Sequence, residues 1–87
     1  MTYGPGDMAR SLAGHDAGRL YVIIGRKGGM PVLADGRLRK AGSPKCKNFK
    51  HVQLIHTGEH ALKEALRNGE TVTDEQIRRF IKTFGGN

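Results

Sequence analysis

Short apolar stretches broken by glycine turns and a polar loop mark β-strands between Met8 and Ile55, and the spacing turns helical after Thr57. The clearest strand begins at Leu20. Leu20, Val22 and Ile24 fall on one face, Tyr21 and Ile23 on the other, so the segment is apolar on both sides and is expected at the centre of a sheet. Directly before it, Gly14 and Gly18 flank Asp16 in a polar stretch that suits a turn in which the backbone takes positive φ without a Cβ penalty. Residues 1–6 read as a loose lead-in. Asp7 to Leu12 is expected to form a first strand with Met8 and Leu12 turned inward.

Lys27-Gly28-Gly29 and Asp35-Gly36 are hairpin signals, and they bracket a third strand over Met30 to Asp35. Pro31 cannot donate to a ladder, which assigns it to a strand start or an edge. Arg37 to Lys40 is expected as a short fourth strand with Leu38 inward, Ala41 to Phe49 as a loop, and His51 to Ile55 as a last strand with Val52 and Leu54 inward. Five short strands joined by tight turns suit a small, strongly bent barrel of the SH3 type.

Two helices follow. Ala61, Leu62, Ala65 and Leu66 fall at helical spacing between a start at Thr57 or Gly58 and a stop at Gly69. Thr73-Asp74-Glu75-Gln76 reads as a capping box, and Ile77, Phe80, Ile81 and Phe84 form a stripe ended by Gly85-Gly86. The stripe is expected to cover the barrel near Tyr21 and Ile23. The expected architecture is therefore mainly β, a small SH3-like barrel of about five strands over residues 1–56 with two short C-terminal helices over 57–87 packed on it.

Charge narrows the function. The chain of 87 residues carries 15 Lys and Arg against 8 Asp and Glu, a net charge of +7. Residues 1–56 hold ten basic and three acidic side chains, while 57–87 hold five of each, so the excess lies on the barrel. A surface of that sign attracts polyanions, nucleic acid first among them. A chain this short leaves little room for a large enzyme cleft. The single Cys46 forms no internal disulfide and anchors no paired-cysteine zinc site, and no run is long and apolar enough to span a bilayer. No cofactor or metal is expected, nor any membrane contact, and the expected location is the cytoplasm.

Arg37, Arg39, Lys40, Lys45, Lys47 and Lys50 place six cations within fourteen residues with no acid among them. Such a series can follow a phosphate backbone, the arginines adding planar forks for bidentate contact. Arg19, Arg26 and Lys27 extend it. His15 can stack on a base or donate to a phosphate, and Phe49 between Lys47 and Lys50 has the setting of a stacking aromatic, although a Phe entering a strand also reads as core. Asp16 beside His15 does not read as a catalytic pair, since neighbours in a turn rarely meet in the geometry catalysis needs, and Asp16 is expected to accept hydrogen bonds within its own turn.

The run Ser11-Leu12-Ala13-Gly14-His15-Asp16-Ala17-Gly18-Arg19-Leu20-Tyr21-Val22-Ile23 resembles a KOW motif. Together with Val32 to Lys40, Pro44-Lys45, Asn48 to Leu54 and Val72 to Arg78, it is similar to the short bacterial KOW-domain RNA-binding proteins, themselves similar to a KOW-type large-subunit ribosomal protein of archaea and eukaryotes. Ala17 stands where such proteins usually carry a lysine. The resemblance implies an SH3-like barrel that binds structured RNA, ribosomal RNA above all; the protein is expected to be non-catalytic and monomeric when free, with ribosomal proteins as neighbours. The RNA-binding residues expected are Gly14, His15, Asp16, Gly18 and Arg19 in the turn, then Arg37, Arg39, Lys40, Lys45, Lys47, Phe49 and Lys50 along the basic edge. The alternative expectation is a protein-binding adaptor of the translation or transcription machinery that uses the same barrel.

Overall fold

The computed structural model describes residues 3–87, and residues 1 and 2 of the expected lead-in lie outside the described residues. Five strands, β1 (Met8–Ser11), β2 (Leu20–Lys27), β3 (Met30–Ala34), β4 (Lys45–Cys46) and β5 (Val52–Ile55), precede two helices, α1 (Ala61–Arg67) and α2 (Asp74–Thr83). All pairings are antiparallel and the strand order is β4-β3-β2-β1-β5. The fold is mainly β and barrel-like: a meander whose last strand returns to pair with the first, Met8 opposite Ile55 and Ser11 opposite Val52.

β2 is central, as its two apolar faces predict, and each face feeds a different core. Ala9, Tyr21, Ile23, Leu33 and Val52 form one cluster with Tyr3. Leu33 on β3 and Val52 on β5 belong to strands that are not neighbours in the sheet, so the sheet curls around this cluster. A register shift between Ile23 and Gly25 marks a bulge in β2, which adds bend and twist where curling needs them. On the other face, Met8, Leu20, Val22 and Ala34 meet Leu62, Val72, Ile77 and Ile81 from the helical segment. The helices thus cover the Leu20 and Val22 face, whereas Tyr21 and Ile23 lie inside the curl. Strand alternation separates the two faces without saying which becomes concave.

Three further expectations change. Tyr3 is part of the core, where the Arg26 guanidinium lies 4.2 Å above its ring. β1 stops at Ser11, so Leu12 enters the turn and is exposed. Arg37 to Lys40 is an irregular loop, and β4 forms instead from Lys45 and Cys46 within the expected loop. Val52 and Leu54 do join the inner cluster. Pro31 takes the second position of β3, a fully buried site.

Both helix starts are capped by side chains. The Thr73 hydroxyl accepts from the Gln76 amide and the Gln76 side chain accepts from the Thr73 amide, the capping box the sequence predicts. α1 begins later than expected because His60 caps it, Nδ1 accepting from the Lys63 amide at 3.1 Å. The Lys63 ammonium then donates to buried Asp7 at 2.8 Å, tying α1 to the start of β1. Among the described residues no helix is long and apolar enough to cross a membrane.

Candidate nucleic-acid interface

The turn between β1 and β2 is built around a carboxylate that points inward. Gly14 and Gly18 take φ of +87° and +89°, and the chain between them folds so that Asp16 reaches four donors. Ser11 Oγ donates at 2.8 Å, Tyr21 Oη at 2.6 Å and Lys47 Nζ at 3.0 Å, with Lys45 Nζ completing the set. Burial alone would raise the Asp16 pKa. The hydrogen bonds from Lys45, Tyr21, Lys47 and Ser11 outweigh it and hold the carboxyl well below the usual carboxylate range. The same contact, added to burial, pushes the Tyr21 phenol above its ordinary value.

Asp16 therefore organises the turn and does not face outward. It also divides the basic series. Lys45 and Lys47 fold back onto it, their side chains only 20% and 17% exposed, and Lys47 donates again to Ser11 Oγ at 2.7 Å and to the Ala13 carbonyl at 2.8 Å. These two lysines hold the turn in place, with most of their surface withdrawn from solvent.

The exposed cations come from the neighbouring loop, which a second buried carboxylate shapes. Asp35 Oδ1 accepts from the amides of Arg37 and Arg39 at 3.0 and 2.8 Å, while the amides of Asp35 and Gly36 donate to the Arg39 carbonyl. This local ring of hydrogen bonds satisfies the backbone that a fourth strand would have used. Burial would raise the Asp35 pKa, but the two amides and Arg19 lower it on balance. Arg19 Nε donates to Asp35 Oδ2 at 2.5 Å, which fastens the glycine turn to the loop.

α2 pins the loop from the other side. Arg78 Nη1 donates to the Gly36 carbonyl at 2.6 Å, and Asp74 Oδ1 accepts from the Ala41 amide at 2.7 Å. Gly36 has φ of +77°, and a Cβ there would lie 2.5 Å from the Asp74 carbonyl oxygen, so only glycine fits. Held at both ends, the loop leaves Arg37, Leu38, Arg39 and Lys40 exposed, Leu38 at 73%. Leu38 thus points outward, contrary to expectation. It shares a groove of about 350 Å³ with His15, Ala17, Arg19 and Asn87.

Phe49 and Lys50 lie elsewhere, on a 3₁₀ turn over Phe49–His51. Phe49 is 48% exposed and packs edge-on against Tyr3, with ring centroids 6.3 Å apart. The His51 carbonyl accepts from the Leu12 amide, which sets this turn beside the approach to Gly14. Arg26 and Lys27, expected to extend the basic series, stand instead at the opposite end of β2 from the glycine turn and form no part of this interface, Arg26 donating to the Tyr3 carbonyl at 2.7 Å.

Three participants escaped the sequence reading. Asn87 clamps the start of β2, Oδ1 accepting from the Leu20 amide at 2.9 Å and Nδ2 donating to the Leu20 carbonyl at 2.7 Å. Asp35 was legible only as half of a hairpin signal, and Arg78 only as a polar position on an amphipathic helix. The arrangement offers a rigid cationic loop beside a glycine turn. No protein-family model matches this chain, and no curated protein is similar to it.

Proposed function

We propose that this protein binds structured RNA without catalysis, with ribosomal RNA as the first target. The observation that carries the reading is the pinned loop, in which Arg37, Arg39 and Lys40 stand exposed beside the Gly14 to Gly18 turn and the His15 groove. Six of the 15 Lys and Arg side chains pair with carboxylates; Arg37, Arg39, Lys40 and Lys50 have no such partner among the described residues. Unpaired cations on a preorganised backbone are what phosphate contact requires, since little side-chain attraction is lost when the ligand arrives. Double-stranded RNA hides its base edges in a deep groove, so shape and phosphate spacing set the preference more than base identity.

The alternative reading, a protein-binding adaptor that uses the same barrel, finds less support on α2, where Ile77 and Ile81 are buried in the core and Phe84 is exposed. The proposal places the protein in the cytoplasm, monomeric when free and among ribosomal proteins when bound. Sedimentation of the native protein from lysate, at low and at raised salt, tests it. Travel with the large ribosomal subunit and release by salt supports the reading; a protein that stays at the top of the gradient at low salt and also fails to bind purified ribosomal RNA overturns it.

A further inference from the structure

The cleft on the far side of the pinned loop has the same electrostatic character as the loop itself. It measures about 410 Å³ and lies between Asp35 and Arg37 of the loop and the Glu75 to Lys82 stretch of α2. Arg37, Arg78, Arg79 and Lys82 line it, together with Asp35 and Glu75. Neither carboxylate is free: Asp35 is committed to Arg19 and the loop amides, and Glu75 to Arg79 at 2.8 Å. Arg37 and Lys82 are exposed without a carboxylate partner among the described residues, and Arg78 spends one N–H on the Gly36 carbonyl while its guanidinium keeps further donors. The Glu75–Arg79 pair is solvent-exposed, a class of contact worth little and readily exchanged for a phosphate.

Asn87 lines this cleft and the His15 groove alike, so the two depressions adjoin. Read by charge along the sequence, 57–87 is balanced and looks neutral; the fold gathers its Arg78, Arg79 and Lys82 on one side and turns them towards Arg37. A depression that runs from the His15 groove by Asn87 to the cations Arg37, Arg78, Arg79 and Lys82 suits a phosphodiester backbone better than a single small anion.

We propose that this cleft is a second phosphate-binding subsite, in which α2 grips a stretch of the RNA backbone beyond the part held by the glycine turn. The proposal rests on the RNA-binding reading. The same RNA then contacts both walls of the Arg37 to Lys40 loop, and α2 serves as a binding element as well as a cover for the sheet.

The test compares Arg79→Gln/Lys82→Gln with Lys27→Glu, which changes the total charge by the same two units at the opposite end of β2. The probes are purified large-subunit ribosomal RNA and a labelled RNA hairpin, titrated over a range of salt. The double variant is expected to bind roughly tenfold more weakly at low salt and to lower the slope of log affinity against log salt by about two contacts' worth. In the wild type, RNA is expected to slow amide exchange across the C-terminal half of α2. Lys27→Glu should leave slope and exchange pattern near those of the wild type.

An unchanged slope in the double variant, in a protein whose binding is still abolished by Arg37→Glu/Arg39→Glu/Lys40→Glu, overturns the subsite and spares the RNA reading. An equal loss in Lys27→Glu reduces the effect to general charge and also overturns it. Should the double variant fold poorly, α2 amides that exchange at the same rate with and without RNA in the wild type overturn it independently. A wild-type protein that binds neither probe removes both readings together.

Discussion

Arg19 donates to Asp35 at 2.5 Å across the gap between the glycine turn and the basic loop, so a buried ion pair joins the two halves of the candidate interface. The Asp35 side chain is fully buried and the Arg19 side chain about a quarter exposed, which makes this pair far less screened by water than a surface bridge. Removing Asp35 leaves the Arg19 guanidinium and the Arg37 and Arg39 amides without an equivalent acceptor.

Asp35→Ala is therefore expected to cost about 3 kcal/mol of folding stability, the usual consequence of breaking a buried, hydrogen-bonded pair from one side. Arg19→Ala should cost less, because the two loop amides still hold Asp35. Chemical denaturation of the two variants checks the order. If Arg19→Ala retains the fold, its RNA affinity should fall by more than one phosphate contact explains, since the loop loses its fixed position.

What the sequence revealed here depended on range. The central strand, the glycine turn and the Thr73 capping box were legible because each is decided within a few residues. The Arg37 to Lys40 strand was misread for the opposite reason: Asp35-Gly36 is a hairpin signal only if the backbone beyond it seeks a ladder, and Asp35 satisfies that backbone itself. The basic series looked uniform along the chain, yet Asp16 lies far from Lys45 and Lys47 in sequence and claims both. The positions of Asn87 and Arg78 follow from packing of the helical segment on β2, which no local pattern encodes.

Gly36→Ala sharpens the claim that α2 and the loop are fitted to each other. The φ of +77° disfavours any side chain, and the approach of the Asp74 carbonyl leaves no room for one. The substitution is expected to cost more than about 2 kcal/mol, combining backbone strain with displacement of α2. Gly28→Ala is the comparison: its φ of +57° is also positive, but nothing lies within 4 Å of the added Cβ, and about 1 kcal/mol is expected. Thermal melts of the pair measure the difference.

Three aspartates set the acid limb of stability. Asp7, Asp16 and Asp35 all have pKa values lowered in the folded protein from the ordinary 3.8. A group of that kind stabilises the fold in full above its unfolded pKa and loses its contribution as pH falls towards the folded value. Stability should therefore be flat above about pH 5 as far as these groups are concerned and should decline steeply below pH 4. Asp16→Asn is expected to lower stability at neutral pH and to make the acid decline shallower; a decline as steep as in the wild type would assign it to other carboxyls.

Tyr21 reports on the same cluster from the alkaline side. Its phenol is held above the ordinary value of 10.0 by burial and by the Asp16 carboxylate. In a Tyr3→Phe background, ultraviolet titration should show no phenolate forming around pH 10 in the native state. Asp16→Asn should move the transition down towards the ordinary value, because the phenol then donates to a neutral amide oxygen and the negative neighbour is gone.

Asn87 closes the β2 start with a side chain in place of a strand, matching one donor and one acceptor to the Leu20 backbone. Asn87→Ala removes both bonds while leaving Leu20 packed against Met8, Val22 and Ile81. The loss in global stability is expected at about 1 kcal/mol, since Asn87 is exposed and water can replace part of the pairing. The local effect should be larger: the Leu20 amide, protected only by this side chain, is expected to exchange much faster, while the amides of Val22 and Ile23 further along β2 change little. Equal acceleration along the whole strand would mean that Asn87 stabilises the barrel globally and not just the edge where the His15 groove and the α2 cleft meet.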